Sequence, residues 1–360
     1  MSTPKPDEKA VAVFVAWRDL SFAKGRFALM GTVIALITLL VGILSGLTAG
    51  LAQQNISAIE ALPADRIAFA EPADGQDPSF TTSTVSRDRW ERLGAMPGVT
   101  AAEPLGVSTA RASAPTGTAT VSVFAVRSGS ALVPGGESVT VSTTVLSTAA
   151  ADELAATVGD TVLVGDRELT VVAVRGDDSF SHTPVVWTEL TDPEASVVAL
   201  TTTSDFDADA VGEATGVLAV SKTDSLSAIG SFTAENGSLQ LMRGFLFVIA
   251  ALVIGAFFTV WTIQRSGDIA VLKALGASTG SLLRDALGQA VVLLVAGTAV
   301  GTALAAGIGA AVSGTVPFDL APATLVVPSL VTVVLGAAGA ALAVRRVTSV
   351  DPLIVLGSAR

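Results

Sequence analysis

Four stretches of this sequence carry no charged residue over lengths sufficient to cross a bilayer: 28–51, 245–263, 286–312 and 323–344. A helix rises about 1.5 Å per residue, so about 20 mostly apolar residues cross a hydrocarbon core about 30 Å thick. A single such run can be a helix buried in a soluble core. Four of them, in a chain that is 50% hydrophobic and only 15% charged, leave too little polar surface to solvate a core of that size. The chain is expected to be a membrane protein with transmembrane helices at 28–53, 242–263, 286–312 and 323–344.

Charge placement divides the rest. Residues 54–241 hold 9 Lys/Arg and 25 Asp/Glu, whereas the remainder holds 12 and 7. An acidic middle between basic, apolar ends predicts one water-exposed domain at 54–241 hung on a membrane unit. Lys and Arg favour the cytoplasmic side. They occur before the first span (Lys5, Lys9, Arg18, Lys24, Arg26), between the second and third (Arg265, Lys273, Arg284) and after the fourth (Arg345, Arg346, Arg360). The 313–322 loop has none. Both termini, the 264–285 segment and the 345–360 tail are therefore expected inside, and 54–241 outside, in the cell membrane. The first span is too long for the apolar region of a signal peptide and runs on into helix-like sequence without a clear cleavage site. Ahead of it, Phe14, Trp17 and Leu20 recur about one turn apart among basic residues, which predicts an amphipathic helix along the inner leaflet within 1–27.

Composition also excludes chemistries. There is no Cys and one His, His182, so neither disulfides nor a multi-histidine metal site is available. The absence of Tyr and a net charge of −11 argue against a nucleic-acid surface. Ser181-His182 beside Asp177 and Asp178 has the residue types of a hydrolase, but adjacency in sequence is not triad geometry, and a loop histidine near a turn is the simpler reading.

The outer segment reads as α+β in two small lobes. Thr161–Val164 and 168–174 flank Gly165-Asp166 as a hairpin. Further strands are expected at 121–127, 138–144 and 197–202, helices at 86–96 and 146–157, and an exposed loop at 73–83. In the third span, Gly297, Gly301, Gly307 and Gly309 predict close helix packing.

The segment QRSGDIAVLKALGAS, 264–278, interrupts the apolar sequence with a short helix-forming stretch. Ile269, Leu272 and Leu275 make an apolar row among Arg265, Asp268 and Lys273, and Gly276 offers a stop. Such a helix between two spans suits docking into a partner's groove. Its pattern, Arg265, Asp268-Ile269, Leu272-Lys273-Ala274-Leu275, Gly276-Ala277, resembles the coupling region of FtsX-like permeases of the MacB type, with Asp268 where that family usually has Glu. The tail, Arg345-Arg346 followed by Val350-Asp351-Pro352-Leu353, resembles that family's ending, as do Met96–Val99 and the 159–174 hairpin its outer domain.

The resemblance implies the permease subunit of an ABC exporter: a homodimer with no catalytic site or intrinsic cofactor, driven by two copies of a separate ATPase that binds ATP and Mg. The chain contains no G-x-x-x-x-G-K-[ST] phosphate loop, in keeping with this. Force would pass through Arg265, Asp268, Ile269, Leu272, Lys273, Leu275 and Gly276 by mechanotransmission. The family's cargoes include antibiotics, peptides, lipoproteins and haem, and some members regulate cell-wall hydrolases. Arg18, Leu20, Lys24 to Phe27 and Leu44 to Leu47 most resemble haem-exporter permeases of Gram-positive bacteria. Haem iron accepts Met sulfur and, more weakly, carboxylate oxygen, so Met30, Glu60 and Met242 are candidate ligands; Arg243 is a candidate for pairing with a propionate. Gln53, Ile56 and Glu60 are expected to share a helix face, and His182 to lie too deep in the outer domain to meet a ring dissolved in the membrane.

Overall fold

A computed structural model of the chain describes residues 24–73, 75–264, 267, 271 and 278–348. Phe14, Trp17 and Leu20 of the amphipathic helix expected within 1–27, and the tail motif from 349 onward, lie outside them. Two compact units result: Leu51–Ser238, and Met1–Gly50 together with Leu239–Arg360.

The first helix, α1 (Lys24–Glu60), carries the first apolar run and continues into the outer unit. The outer unit then runs through β1 (Arg66–Ala70), β2 (Val85–Ser86), α2 (Arg87–Gly94), β3 (Val99–Ser113) and β4 (Thr118–Val126). After these come β5 (Thr143–Leu146), α3 (Thr148–Leu154), β6 (Thr161–Val164), β7 (Arg167–Val174), β8 (Ser179–Phe180) and β9 (Thr183–Glu189). It ends with β10 (Glu194–Ala195), β11 (Val197–Thr202), α4 (Ala208–Thr215), β12 (Val217–Ser221) and α5 (Lys222–Ser225). Three long helices complete the chain: α6 (Gly230–Gln264), α7 (Thr279–Val312) and α8 (Pro322–Thr348).

One continuous sheet organises the outer unit, in the order β12-β1-β11-β3-β4-β9-β5-β7-β6, and β6 returns to pair with β3. The last pairing closes six strands, β3-β4-β9-β5-β7-β6, into a small barrel. Closure leaves those strands no free edge. The expected two lobes are thus a barrel and a three-strand wing, β12-β1-β11, joined through the long strand β3. The 161–174 hairpin forms where expected, with Gly165 at φ 64° in its turn.

Local chemistry explains where the elements begin. Ser147 accepts from the Ala150 N–H at 3.2 Å and caps α3, and Asp207 accepts from the N–H groups of Asp209 and Ala210 to cap α4. The strand expected at 138–144 begins only at Thr143. There the Thr143 hydroxyl accepts from the Thr140 N–H at 2.8 Å, and the Thr143 N–H bonds the Thr140 carbonyl, so a side-chain-closed turn displaces the ladder. The 73–83 stretch has no regular structure, but it is not wholly exposed. Phe80 is 1% exposed and stacks edge-on against Phe69 and Phe180, with centroids 5.0 and 5.5 Å away. The chain of rings continues from Phe180 to Phe124 and Trp187, tying the loop to β1, β8, β4 and β9.

The other unit contains the four apolar helices, each long and apolar enough to cross a membrane. They meet at a cluster of Met30, Ile34, Ile254, Phe258, Trp261, Leu293, Leu294 and Ala340. Helix α1 lies close against α7. A Cβ placed on Gly301 would meet Thr38 Cβ at 2.7 Å and the Leu39 nitrogen at 3.0 Å, so only glycine allows this approach. Gly297 and Gly309 also make close contacts, whereas Gly307 faces open space. In the loop before α8, Phe318 seats its ring on Gly46 and Gly309, and the Asp319 N–H bonds the Gly46 carbonyl at 3.0 Å. Asp319 then accepts from the Ala321 N–H and the Thr324 hydroxyl, capping the start of α8. The architecture is the expected α+β membrane protein: four spans, with a large extracytoplasmic domain between the first and second.

Candidate functional site

The coupling residues Arg265, Asp268, Ile269, Leu272, Lys273, Leu275 and Gly276 lie outside the described residues. Within that segment Gly267 and Val271 are described, and both are helical and exposed. On either side, Trp261 at the end of α6 and Ala290 in α7 belong to the cluster where the four helices meet. Force entering between Gln264 and Thr279 would therefore reach side chains packed against α1 and α8.

The four candidate cargo residues do not form one group. Met30 is 7% exposed and enclosed by helices of its own chain, in the cluster with Phe258 and Trp261. Met242 lies on the same helix as those two rings, 49% exposed and 16 to 19 residues earlier. At 1.5 Å per residue that is about 24–28 Å along α6, so the two thioethers cannot ligate one iron within a single chain. Arg243 is half-buried beside Met242. Glu60 is exposed at the end of α1, where its carboxylate accepts from Gln53 Nε2 at 3.5 Å. Ile56, expected on that face, turns inward and is 6% exposed in the main core of the outer unit. The end of α1 is capped by Lys222, whose Nζ donates to the Glu60 and Leu62 carbonyls, both at 2.9 Å. A cation at this helix terminus is favoured by the orientation of the backbone dipoles.

His182 is the turn histidine expected from its neighbours, but it is not deep in the domain: it occupies the turn between β8 and β9, with its side chain 31% exposed. Ser181 and His182 have φ of 49° and 63°, the pair of positive angles that a two-residue hairpin loop requires. For residues other than glycine this conformation costs about 1–2 kcal/mol each. Hydrogen bonds offset the cost. The Ser181 and His182 N–H groups donate to the Asn55 and Gln54 carbonyls of α1, both at 3.1 Å. His182 Nε2 lies 2.9 Å from both Glu235 carboxylate oxygens on α6 and 2.9 Å from Asn55 Nδ2. Ser181 Oγ pairs with Ser231 Oγ at 2.8 Å, and Ser231 in turn donates to Asn55 Oδ1 at 2.6 Å. Ser181 and His182 thus face separate partners and are not a nucleophile and its base. Their role is to clasp the outer end of α1 to the outer start of α6. Among the described residues, no group of three or more His, Cys, Asp or Glu could hold a metal ion.

Comparison with known proteins fits both units. Residues 28–216 match the MacB-like periplasmic core domain, and residues 241–352 match the FtsX-like permease C-terminal region, which takes in the segment between the second and third spans. Among similar proteins is one named as a hemin transport system permease, HrtB, from Staphylococcus epidermidis. It is 25% identical over 357 residues, covering 95% of this chain and 99% of that protein. An uncharacterized ABC transporter permease of Mycobacterium bovis is 24% identical over 352 residues, covering 96% and 99%. Another, from Mycobacterium tuberculosis, is 26% identical over 361 residues, covering 96% and 99%. The chain belongs to the MacB/FtsX family of ABC-transporter permeases, membrane-embedded subunits without a catalytic site that pair with a separate ABC ATPase.

Proposed function

We propose that this chain is the permease of a haem efflux pump in the cell membrane, acting as a homodimer. The observation that carries this reading is the match along 95% of the chain to a permease named for hemin transport. The basic residues flanking the spans support a cytoplasmic side for both termini and the 264–285 segment. There, closure of two partner ATPases on ATP pushes the row Ile269, Leu272 and Leu275, with Arg265, Asp268 and Lys273 holding it in register and Gly276 ending it. The push passes into α6 and α7 and through their shared cluster to α1. Haem leaves from the outer half of the membrane, in contact with Glu60, Met242 and Arg243. Arg243 pairs with a propionate. Met30, enclosed by its own chain, is the candidate with least access to cargo.

The coupling role is tested in the reconstituted complex. Leu272→Asp with Leu275→Asp should abolish permease-stimulated ATPase activity while the assembled permease remains folded; normal stimulation would sink the assignment. The cargo is tested by titrating the permease in nanodiscs with haem. A saturable Soret shift near one haem per dimer, weakened by Glu60→Ala or Met242→Ala and unaffected by Met30→Ala, supports haem. Weak, non-saturating uptake equal in all variants rejects it and favours an antibiotic, peptide or lipid-like cargo on the same scaffold.

A further inference from the structure

The outer unit contains a crevice of about 370 Å³ that the transport reading does not use. One wall is the last turn of α1 and the residues after it: Ala58, Ala61, Leu62 and Pro63. The facing wall is the 131–136 loop. The buried floor is apolar except at two points, Asp178 and Trp187, which are 6% and 1% exposed. Asp178 precedes β8, and its carbonyl accepts from the Val185 N–H at 3.1 Å, which holds its side chain across from β9 and hence beside Trp187.

Both groups lack a hydrogen-bond partner. Asp178 Oδ2 has no donor, and Trp187 Nε1 has no acceptor. The indole N–H lies close enough to lower the Asp178 pKa somewhat, yet the pair falls outside hydrogen-bond geometry. Burial is the larger influence, followed by neighbouring Asp177, and together they push Asp178 up to about 6. Unpaired buried donors and acceptors are rare in folded proteins and costly when charged. A single water occupies about 30 Å³, far less than this crevice.

We propose that the crevice binds a small organic amine, its ammonium donating to the Asp178 carboxylate and its apolar body lying on Leu62, Leu132 and Val133. The charge pattern selects this class. An anion would face the buried carboxylate and Asp177; of the two nearby cations, Arg175 is paired with Glu137 at 3.2 Å and Lys222 Nζ is held by the Glu60 and Leu62 carbonyls, both at 2.9 Å. A neutral hydrocarbon would leave both polar groups unsatisfied. The rim suits access, because Ala61, Ala131, Gly135, Gly136 and Gly176 are small and exposed. The site lies against the end of α1, so its occupant touches the turn that Lys222 caps.

The test uses the full-length permease in nanodiscs, labelled with 5-fluorotryptophan, with the Trp187 signal assigned by Trp187→Phe. 2-Phenylethylamine should shift that signal saturably and bind roughly ten-fold more tightly than 2-phenylethanol at neutral pH, with ethylbenzene weaker still. Asp178→Asn should abolish the preference for the amine. Ala61→Phe, on the exposed rim, should block all three probes without disturbing the buried floor. No saturable shift with the amine, meaning water only, would overturn the proposal. So would an amine affinity unchanged in Asp178→Asn.

Discussion

The outer unit and the membrane unit differ in what they leave on the surface. In the outer unit the largest side chains are inside: Phe69, Phe80, Phe124 and Trp187 are each at most 1% exposed. In the membrane unit large apolar side chains face outward, among them Leu36, Leu252 and Leu342 at 56%, 68% and 69% exposed. Its interior holds Phe258 and Leu294, 1% and 0% exposed, but along the α1–α7 contact it takes glycine and hydroxyls such as Thr38 and Ser45, 0% and 1% exposed. The solvent accounts for the difference. Water drives large apolar surface inward, whereas lipid is as apolar as leucine and leaves close backbone packing to hold helices together.

That contrast can be broken by mutation, and the largest effect is expected in the aromatic core. Phe124→Ala should cost about 3–5 kcal/mol, read as thermal unfolding of the outer unit through the Trp187 signal. Leu252→Ala in the membrane unit should change stability by less than about 0.5 kcal/mol. Comparable losses would mean that both units are held together by burial of large side chains.

Glycine sharpens the comparison in the other direction. Alanine at Gly301 gains up to about 1 kcal/mol of helix propensity, but its Cβ meets backbone and Thr38, and overpacking of that kind costs about 1–3 kcal/mol. The clash should win, lowering the unfolding temperature reported by Trp261. Gly307→Ala, where nothing lies within 4 Å, should be neutral or slightly stabilising. If both respond alike, close approach at Gly301 is not what holds α1 to α7.

The outer unit's buried charge should show as a pH dependence. The folded Asp178 pKa, about 6, lies above its ordinary value of 3.8, so its favourable contribution is full below about 4 and is lost as pH rises through 6. Asp178→Asn should therefore raise stability by about 1–2 kcal/mol at pH 7.5 and leave it nearly unchanged at pH 4. An equal effect at both values would assign the change to packing. A modest gain is expected at Ala155, the C-cap of α3 at φ 50°, where glycine should add about 0.5–1 kcal/mol measured by the same unfolding.

What was legible in the sequence was local. Uncharged runs, Gly165-Asp166 between alternating segments, and Trp90 with Leu93 three apart each encode an element through its own neighbours. The barrel was not legible, because pairing Ala112 with Val164 and Ser122 with Val185 joins residues whose local patterns do not name a partner. The same holds for His182, whose contacts with Asn55 and Glu235 cross 127 and 53 positions. Phe80 sits in a loop of turn-forming residues, and nothing beside it signals that its ring is an anchor. In sequence Asp178 is only an acid close to Ser181-His182; the fold shows it buried, with Oδ2 unpaired. The apolar row Ile269, Leu272 and Leu275 is visible in its spacing, its coupling role is an expectation from the resemblance, and the row itself lies outside the described residues.

The position of β1 has a consequence for the order in which the protein is made. Its neighbours are β11 and β12, which begin at Val197 and Val217. At about 5–20 residues per second, β1 emerges roughly 7–30 s before either neighbour exists. The barrel strands are complete once Glu189 has emerged, about 0.4–1.6 s before β11 begins at Val197. Meanwhile the strand Arg66–Ala70 waits with Ile67 and Phe69 uncovered, a short apolar β segment of the kind that recruits other chains. Pro63, Asp65 and Arg66 stand immediately at its front, where a proline and two opposite charges discourage mispairing. A nascent chain stalled between Ala70 and Val197 is thus the form of this protein most exposed to aggregation, and these three residues guard it.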